Sequence, residues 1–135
     1  MFDSVLVTLF LFLQAAATPP ASQPAPPHYQ GEWVVEIIDN IKVLPESHVT
    51  LRIDGQTVAG RAPCNTYRGT FTVSGTTVEV GELLRTMMAC DEARLSEEND
   101  FLTRLREVVR YEMKSRDVLE LKTSDGKTIV AKRRP

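Results

Sequence analysis

The hydrophobic pattern changes period twice between Trp33 and Ala131. Trp33-Val34-Val35-Glu36-Ile37-Ile38 is rich in β-branched residues and predicts a first strand, with Trp33 as a core plug rather than a ligand platform. Asp39-Asn40 ends it, and Pro45 makes Ile41 to Ser47 a loop. Val49-Thr50-Leu51-Arg52-Ile53 alternates apolar with polar positions, as a strand with one buried face does. Asp54-Gly55 is a hairpin signal, and Thr57 to Gly60 returns antiparallel. A strand around Gly69 to Val73, a Ser74-Gly75 turn and Thr77 to Val80 complete a meander.

The period then becomes helical. Leu95, Phe101, Leu102, Leu105, Val108 and Val109 fall on one side of a 3.6-residue spiral, and Glu97, Glu98, Arg104 and Glu107 on the other. Ser96 is the expected N-cap, and Asp100 with Arg104 an expected i,i+4 pair on the solvated face. Alternation resumes in Arg110 to Lys114, Val118 to Lys122 and Thr128 to Ala131, separated by turns at Ser115-Arg116-Asp117 and Ser124-Asp125-Gly126. Strands gathered around one helix predict an α+β fold. The expected architecture is an antiparallel, barrel-like β-sheet of about eight strands with one amphipathic helix packed on it.

Length and charge narrow the function classes. A chain of 135 residues predicts one folded domain. The formal net charge of -2 gives no global field for nucleic acid, so no nucleic-acid partner is expected. Lys132-Arg133-Arg134 reads as a solubilising end to the last strand, with a contact to anionic headgroups or envelope polymers as the alternative.

The N-terminus points to export. Val5 to Leu13 is almost uniformly apolar and runs into Gln14-Ala15-Ala16-Ala17, the pattern of a signal peptide spanning residues 1–17. Met1-Phe2-Asp3-Ser4 lacks the usual basic residues, and an uncleaved hydrophobic anchor is the competing reading. The apolar run is shorter than the roughly 20 residues that span a bilayer, so no stable membrane insertion is expected after cleavage. Residues 18–30 carry Pro19, Pro20, Pro24, Pro26 and Pro27 and read as a semi-rigid tether. The folded domain is expected over residues 31–135, in a periplasmic or secreted location.

Val58-Ala59-Gly60-Arg61-Ala62-Pro63-Cys64-Asn65-Thr66-Tyr67-Arg68-Gly69, with the later Thr86-Met87-Met88-Ala89-Cys90, resembles the META domain, the HslJ-like family of bacterial envelope proteins. Leu119-Glu120-Leu121 and Asp125-Gly126 match the end of the family pattern. Pro63 departs from it, standing where many members have glycine. The resemblance implies a compact α+β domain, exported or lipid-anchored in many members and linked with envelope stress and antibiotic tolerance. It brings no catalytic residues.

The chemistry-bearing residues are few. Two cysteines in an exported chain favour a Cys64–Cys90 disulfide, which chain entropy makes worth about 3.5 kcal/mol. Inert buried thiols and a nucleophilic cysteine are the alternatives, the latter lacking a partner because His28 lies in the tether and His48 borders a strand. No zinc spacing, Gly-rich phosphate loop or nucleophile elbow is present, so no metal, cofactor or catalytic residue is expected. Asn65 is expected to bond the local backbone, and Tyr67 to pack with its hydroxyl on a partner. A recognition patch of Arg61, Asn65, Tyr67, Arg68, Thr86 and Met87 is the functional alternative, although Met87 and Met88 read first as core fillers. The expected function is a non-enzymatic envelope domain that binds a protein or small ligand and supports stress or antibiotic tolerance. An inhibitor or chaperone-like module binding at a sheet edge and a small hydrolase are the alternatives.

Overall fold

The computed structural model describes residues 27–135. The expected signal peptide, and the tether up to residue 26, lie outside the described residues. The element order is β1 (Gly31–Ile38), β2 (Ile41–Lys42), β3 (Thr50–Asp54), β4 (Thr57–Arg61), β5 (Thr66–Ser74), β6 (Thr77–Val80), β7 (Leu84–Arg85), α1 (Glu92–Glu107), β8 (Val108–Ser115), β9 (Val118–Thr123) and β10 (Thr128–Arg133). All pairings are antiparallel.

The sheet closes on itself. Its strand order runs β1-β3-β4-β5-β6-β8-β9-β10, and β10 returns to β1 from Trp33↔Arg133 to Ile38↔Ile129. Eight strands form the barrel, and β2 and β7 are two extra strands outside the ring. The thinnest seam lies between β6 and β8, which share the Thr77↔Arg110 bridge and a Tyr111 N–H bond to the Thr76 carbonyl. Alternation along each strand sends Val35, Leu51, Ile53, Val58, Phe71, Leu119, Leu121 and Ile129 into the buried core with Trp33. Helix α1 packs on β1, β6, β9 and β10 and buries Phe101, Leu102 and Leu105.

The residues just before β1 are docked, not free. Tyr29 packs against Tyr111 and Phe71, with ring centroids 4.8 and 6.3 Å away. The Trp33 indole N–H donates to the Tyr29 carbonyl, and the Gln30 amide both donates to and accepts from the backbone of Gly55. Arg133 lies over the Trp33 ring, 4.3 Å from its centroid, and donates to the Gln30 and His28 carbonyls. Ordered chain therefore begins before Gly31. The basic run at the end of β10 is also engaged, since Lys132 and Arg134 pair with Glu36 and Glu32 at the β1 side of the closing seam.

Several expectations are corrected. The N-cap of α1 is Asp91, whose carboxylate accepts from the Arg94 N–H, and Ser96 lies within the helix. Glu92-Ala93-Arg94-Leu95 are good helix formers, so nothing stops the helix from starting one turn earlier. Val109 belongs to β8 and is exposed, because the backbone turns extended at Val108. Arg104 pairs with Asp39 and Glu107 instead of Asp100. Part of the expected Ile41–Ser47 loop pairs with β1 as β2, after a turn in which Asp39 and Asn40 take positive φ of 51° and 66°.

Candidate functional site

The two cysteine segments meet at one corner of the barrel. Strand β4 ends at Arg61, and the chain turns with the Ala62 N–H bonded to the Asn65 carbonyl before β5 begins. Cys64 is disulfide-bonded to Cys90, with Cα atoms 6.1 Å apart. The bond ties this turn to the residue just before the helix cap. Strand β4 needs glycine at position 60, where a Cβ would stand 2.3 Å from the Thr50 carbonyl oxygen of β3. That same carbonyl accepts the Tyr67 hydroxyl at 2.8 Å. Burial pushes the Tyr67 hydroxyl well above its ordinary pKa, so it stays a proton donor.

Asn65 and Glu98 organise the corner. Glu98 is fully buried on α1. Its Oε1 accepts the N–H groups of Cys64 and Asn65 at 3.0 and 2.6 Å, and its Oε2 accepts the Asn65 amide and Arg85 guanidinium at 2.6 and 2.8 Å. Burial alone raises the Glu98 carboxyl. The Asn65 side chain, the two backbone N–H groups and Arg85 outweigh burial and hold the carboxyl below its usual range. The Asn65 Oδ1 faces the other way and accepts the Met88 N–H at 2.6 Å and the Thr86 hydroxyl at 3.1 Å. Asn65 thus couples three segments, whereas the sequence reading confined its bonds to the local backbone.

Residues 84–90 are stretched over this network. Strand β7 pairs with the start of β5 through Tyr67↔Arg85 and Arg68↔Leu84. Thr66 and Thr86 exchange two further bonds. Because both ends are held, the apolar side chains point outward. Leu84 is 69%, Met87 83% and Met88 62% exposed. The two methionines are therefore surface groups, not the core fillers expected from composition. Their backbone is fixed by Asn65 and the disulfide, so no freedom remains to fold them in.

The six residues of the expected patch divide. Thr86 and Met87 lie on the exposed segment, and Arg61 is exposed at the end of β4. Asn65 and Tyr67 are buried beneath it as supports. Arg68 points outward on β5, beside a shallow groove it shares with Arg52, Asp54 and Thr57. Glu98, Arg85, Leu84 and Met88 are the corner residues the patch omits. Glu98, expected on the solvated side of the helix, is instead buried with Phe101, Leu102 and Leu105, which it precedes by three, four and seven positions and whose face it therefore shares.

A family model described as META domain matches residues 27–135. The chain belongs to the META domain family. Among solved structures, an NMR structure of a protein from Burkholderia xenovorans superposes with a TM-score of 0.64 at 21% identity, covering 88% of this chain and 99% of its own. A crystal structure of a DUF4847 family protein from Bacteroides vulgatus superposes with a TM-score of 0.58 at 18% identity, covering 77% of this chain and 92% of its own. These likenesses carry the fold alone. No curated protein matches the chain by sequence.

In this META domain the corner presents an exposed apolar segment over a buried polar network. With Cys64 oxidised there is no thiolate to attack a substrate. Both Glu98 oxygens are occupied by donors, which leaves no basic lone pair directed at solvent. Among the described residues no group of three or more His, Cys, Asp and Glu side chains is placed to hold a metal ion.

Proposed function

We propose that this META domain is an exported, non-enzymatic binding module of the cell envelope. It supports stress or antibiotic tolerance by contacting an envelope protein or small ligand. The observation that carries this reading is the exposed Leu84–Met88 segment, held rigid by the Cys64–Cys90 bond and by Asn65. Exposed large apolar groups on a rigid support lose little entropy when a partner covers them. Methionine adapts its shape to more than one partner surface. The disulfide suits an oxidising compartment, in keeping with the apolar Val5–Leu13 run that precedes the tether.

Strand addition at a sheet edge has less to stand on, because the barrel strands pair on both sides and the two extra strands are only two residues long each. A hydrolase with Cys64 as its nucleophile would need that residue as a free thiol.

The test is deletion of the gene followed by challenge with heat and hydrophobic antibiotics, with cell fractions probed for the protein. The proposal expects the mature protein in the envelope or medium and a sensitised deletion strain. Cytoplasmic protein, or a deletion strain as tolerant as its parent, overturns it.

A further inference from the structure

The outward-facing methionines form one wall of a groove that also reaches the helix. It holds about 380 Å³ and runs between the Arg85–Ala89 segment and the first half of α1. Its apolar lining is Met87, Met88, Ala89 and Leu95. Its polar lining is Asn65, Arg85 and Asn99. The Asn65 amide is already bonded through both its oxygen and its nitrogen. Arg85 is engaged on one side only. Its Nη1 donates to Glu98 Oε2 at 2.8 Å and to Asn99 Oδ1 at 3.3 Å, while Nε and Nη2 donate to no acceptor among the described residues. The Arg85 side chain is 32% exposed and Asn99 is exposed, so both can be reached from outside.

The polar groups that the fold leaves over in this groove are donors: the Nε–Nη2 edge of Arg85 and the Asn99 amide nitrogen. That edge of a guanidinium presents two parallel N–H groups, which match the two oxygens of a carboxylate. Glu98 does not use up the guanidinium, because it is also held by the N–H groups of Cys64 and Asn65 and by the Asn65 amide. One cation shared in this way suits a single added negative charge better than two. The rest of the groove calls for hydrocarbon. The bonds at Asn65 and Cys90 keep Met87 and Met88 from folding inward, so their flexible thioether chains are left to adapt to whatever lies against them.

We propose that this groove binds a small amphiphilic carboxylate. Its two oxygens accept from Nε and Nη2 of Arg85 beside the Asn99 amide, and its hydrocarbon lies on Met87, Met88 and Leu95. The inference rests on the reading of the Leu84–Met88 segment as the working face, and it names the class of ligand that face takes. The volume, at the lower end of the range for ligand pockets, suits a short alkyl body rather than a polycyclic one.

The probe is sodium n-octanoate, followed by amide chemical shifts, with n-octanol and n-octylammonium chloride as controls. Residues 27–135 close the barrel and contain its core, so they serve as the test protein. Octanoate should produce saturable shifts at Arg85, Ala89 and Asn99, and each control should bind at least about tenfold more weakly, because neither can accept a charge-assisted pair of bonds. Asn99→Asp sets an acid at an exposed position beside the Arg85 edge, so it should keep the wild-type melting temperature and weaken binding by about tenfold. Arg85→Lys keeps the charge beside Glu98 but has no planar edge, and should also weaken binding by about tenfold. The proposal fails if octanoate gives no saturable shifts, if either control binds as well, or if the folded Asn99→Asp variant binds like the wild type. Should octanoate fail to bind while Met87→Glu/Met88→Glu still fails to restore tolerance to a deletion strain, the ligand class falls and the working face stands. Full rescue by that variant strikes the working face instead.

Discussion

Glu98 and Asn65, 33 residues apart in the chain, are joined twice, through the Asn65 backbone N–H and its side-chain amide, each at 2.6 Å. This pair fixes the helix to the β4–β5 turn, and the disulfide fixes the same turn to the helix approach. Removing Glu98 leaves the Cys64 and Asn65 N–H groups and the Asn65 amide without their acceptor. Glu98→Ala should therefore lose about 3–5 kcal/mol, since breaking a buried charged network strands its partners. Arg85, which is only partly buried, can turn to water, so the loss should not exceed that range. A urea midpoint equal to that of the wild type would mean that the network contributes nothing.

The same carboxyl sets an acid dependence. Its folded-state pKa lies below the value in the unfolded chain. The resulting stability is fully present above the unfolded value, about 4.3, and is lost as pH falls through the folded value. Urea midpoints measured from pH 7 downward should stay level until about pH 4 and then fall. Glu98→Gln has no such proton to bind, so its midpoint should fall less over that acid window. Parallel pH curves for the two proteins would assign the acid loss to other groups.

The disulfide closes a loop with a sequence separation of 26, for which chain entropy gives about 3.5 kcal/mol. Cys64→Ser/Cys90→Ser should lower stability by roughly that amount while keeping the far-ultraviolet spectrum of the fold. Adding reductant to the wild type should have the same effect, and no effect on the double variant. Two thiols titrating in the native, unreduced protein would show that the bond does not form.

Much of this architecture is visible in the pattern of residues, and the exceptions have physical causes. The strands are legible because one face of each is buried, as in Leu51 and Ile53 or Leu119 and Leu121. Closure of the barrel depends on the β10–β1 pairing, which joins the two ends of the domain and leaves no local signal. The corner was legible in outline, because two cysteines and a Pro63–Asn65 turn flanked by Gly60 and Gly69 mark it. Its chemistry was not, because a glutamate on a helix reads as solvated until the donors from a distant turn are known. Met87 and Met88 are misleading for the complementary reason. Apolar composition predicts burial, but the bonds from Asn65 and Cys90 that hold them outward are tertiary.

Gly60 tests the close approach at the corner. Gly60→Ala places a methyl group against the Thr50 backbone, which cannot withdraw without disturbing the β1–β3 and β3–β4 pairing. A loss of about 2–3 kcal/mol is expected, at the upper part of the usual range for overpacking. A thermal melt unchanged from the wild type would show that the strand has room to shift.

The most direct test of the account separates the surface from its support. Met87→Glu/Met88→Glu alters two exposed side chains and none of the bonds beneath them. Its stability should stay within about 0.5 kcal/mol of the wild type, as for ordinary surface changes. Expressed at the wild-type level in a deletion strain, it should fail to restore tolerance to heat and hydrophobic antibiotics, whereas the wild-type gene restores it. Full rescue by the folded double variant would contradict the claim that the domain works through this face.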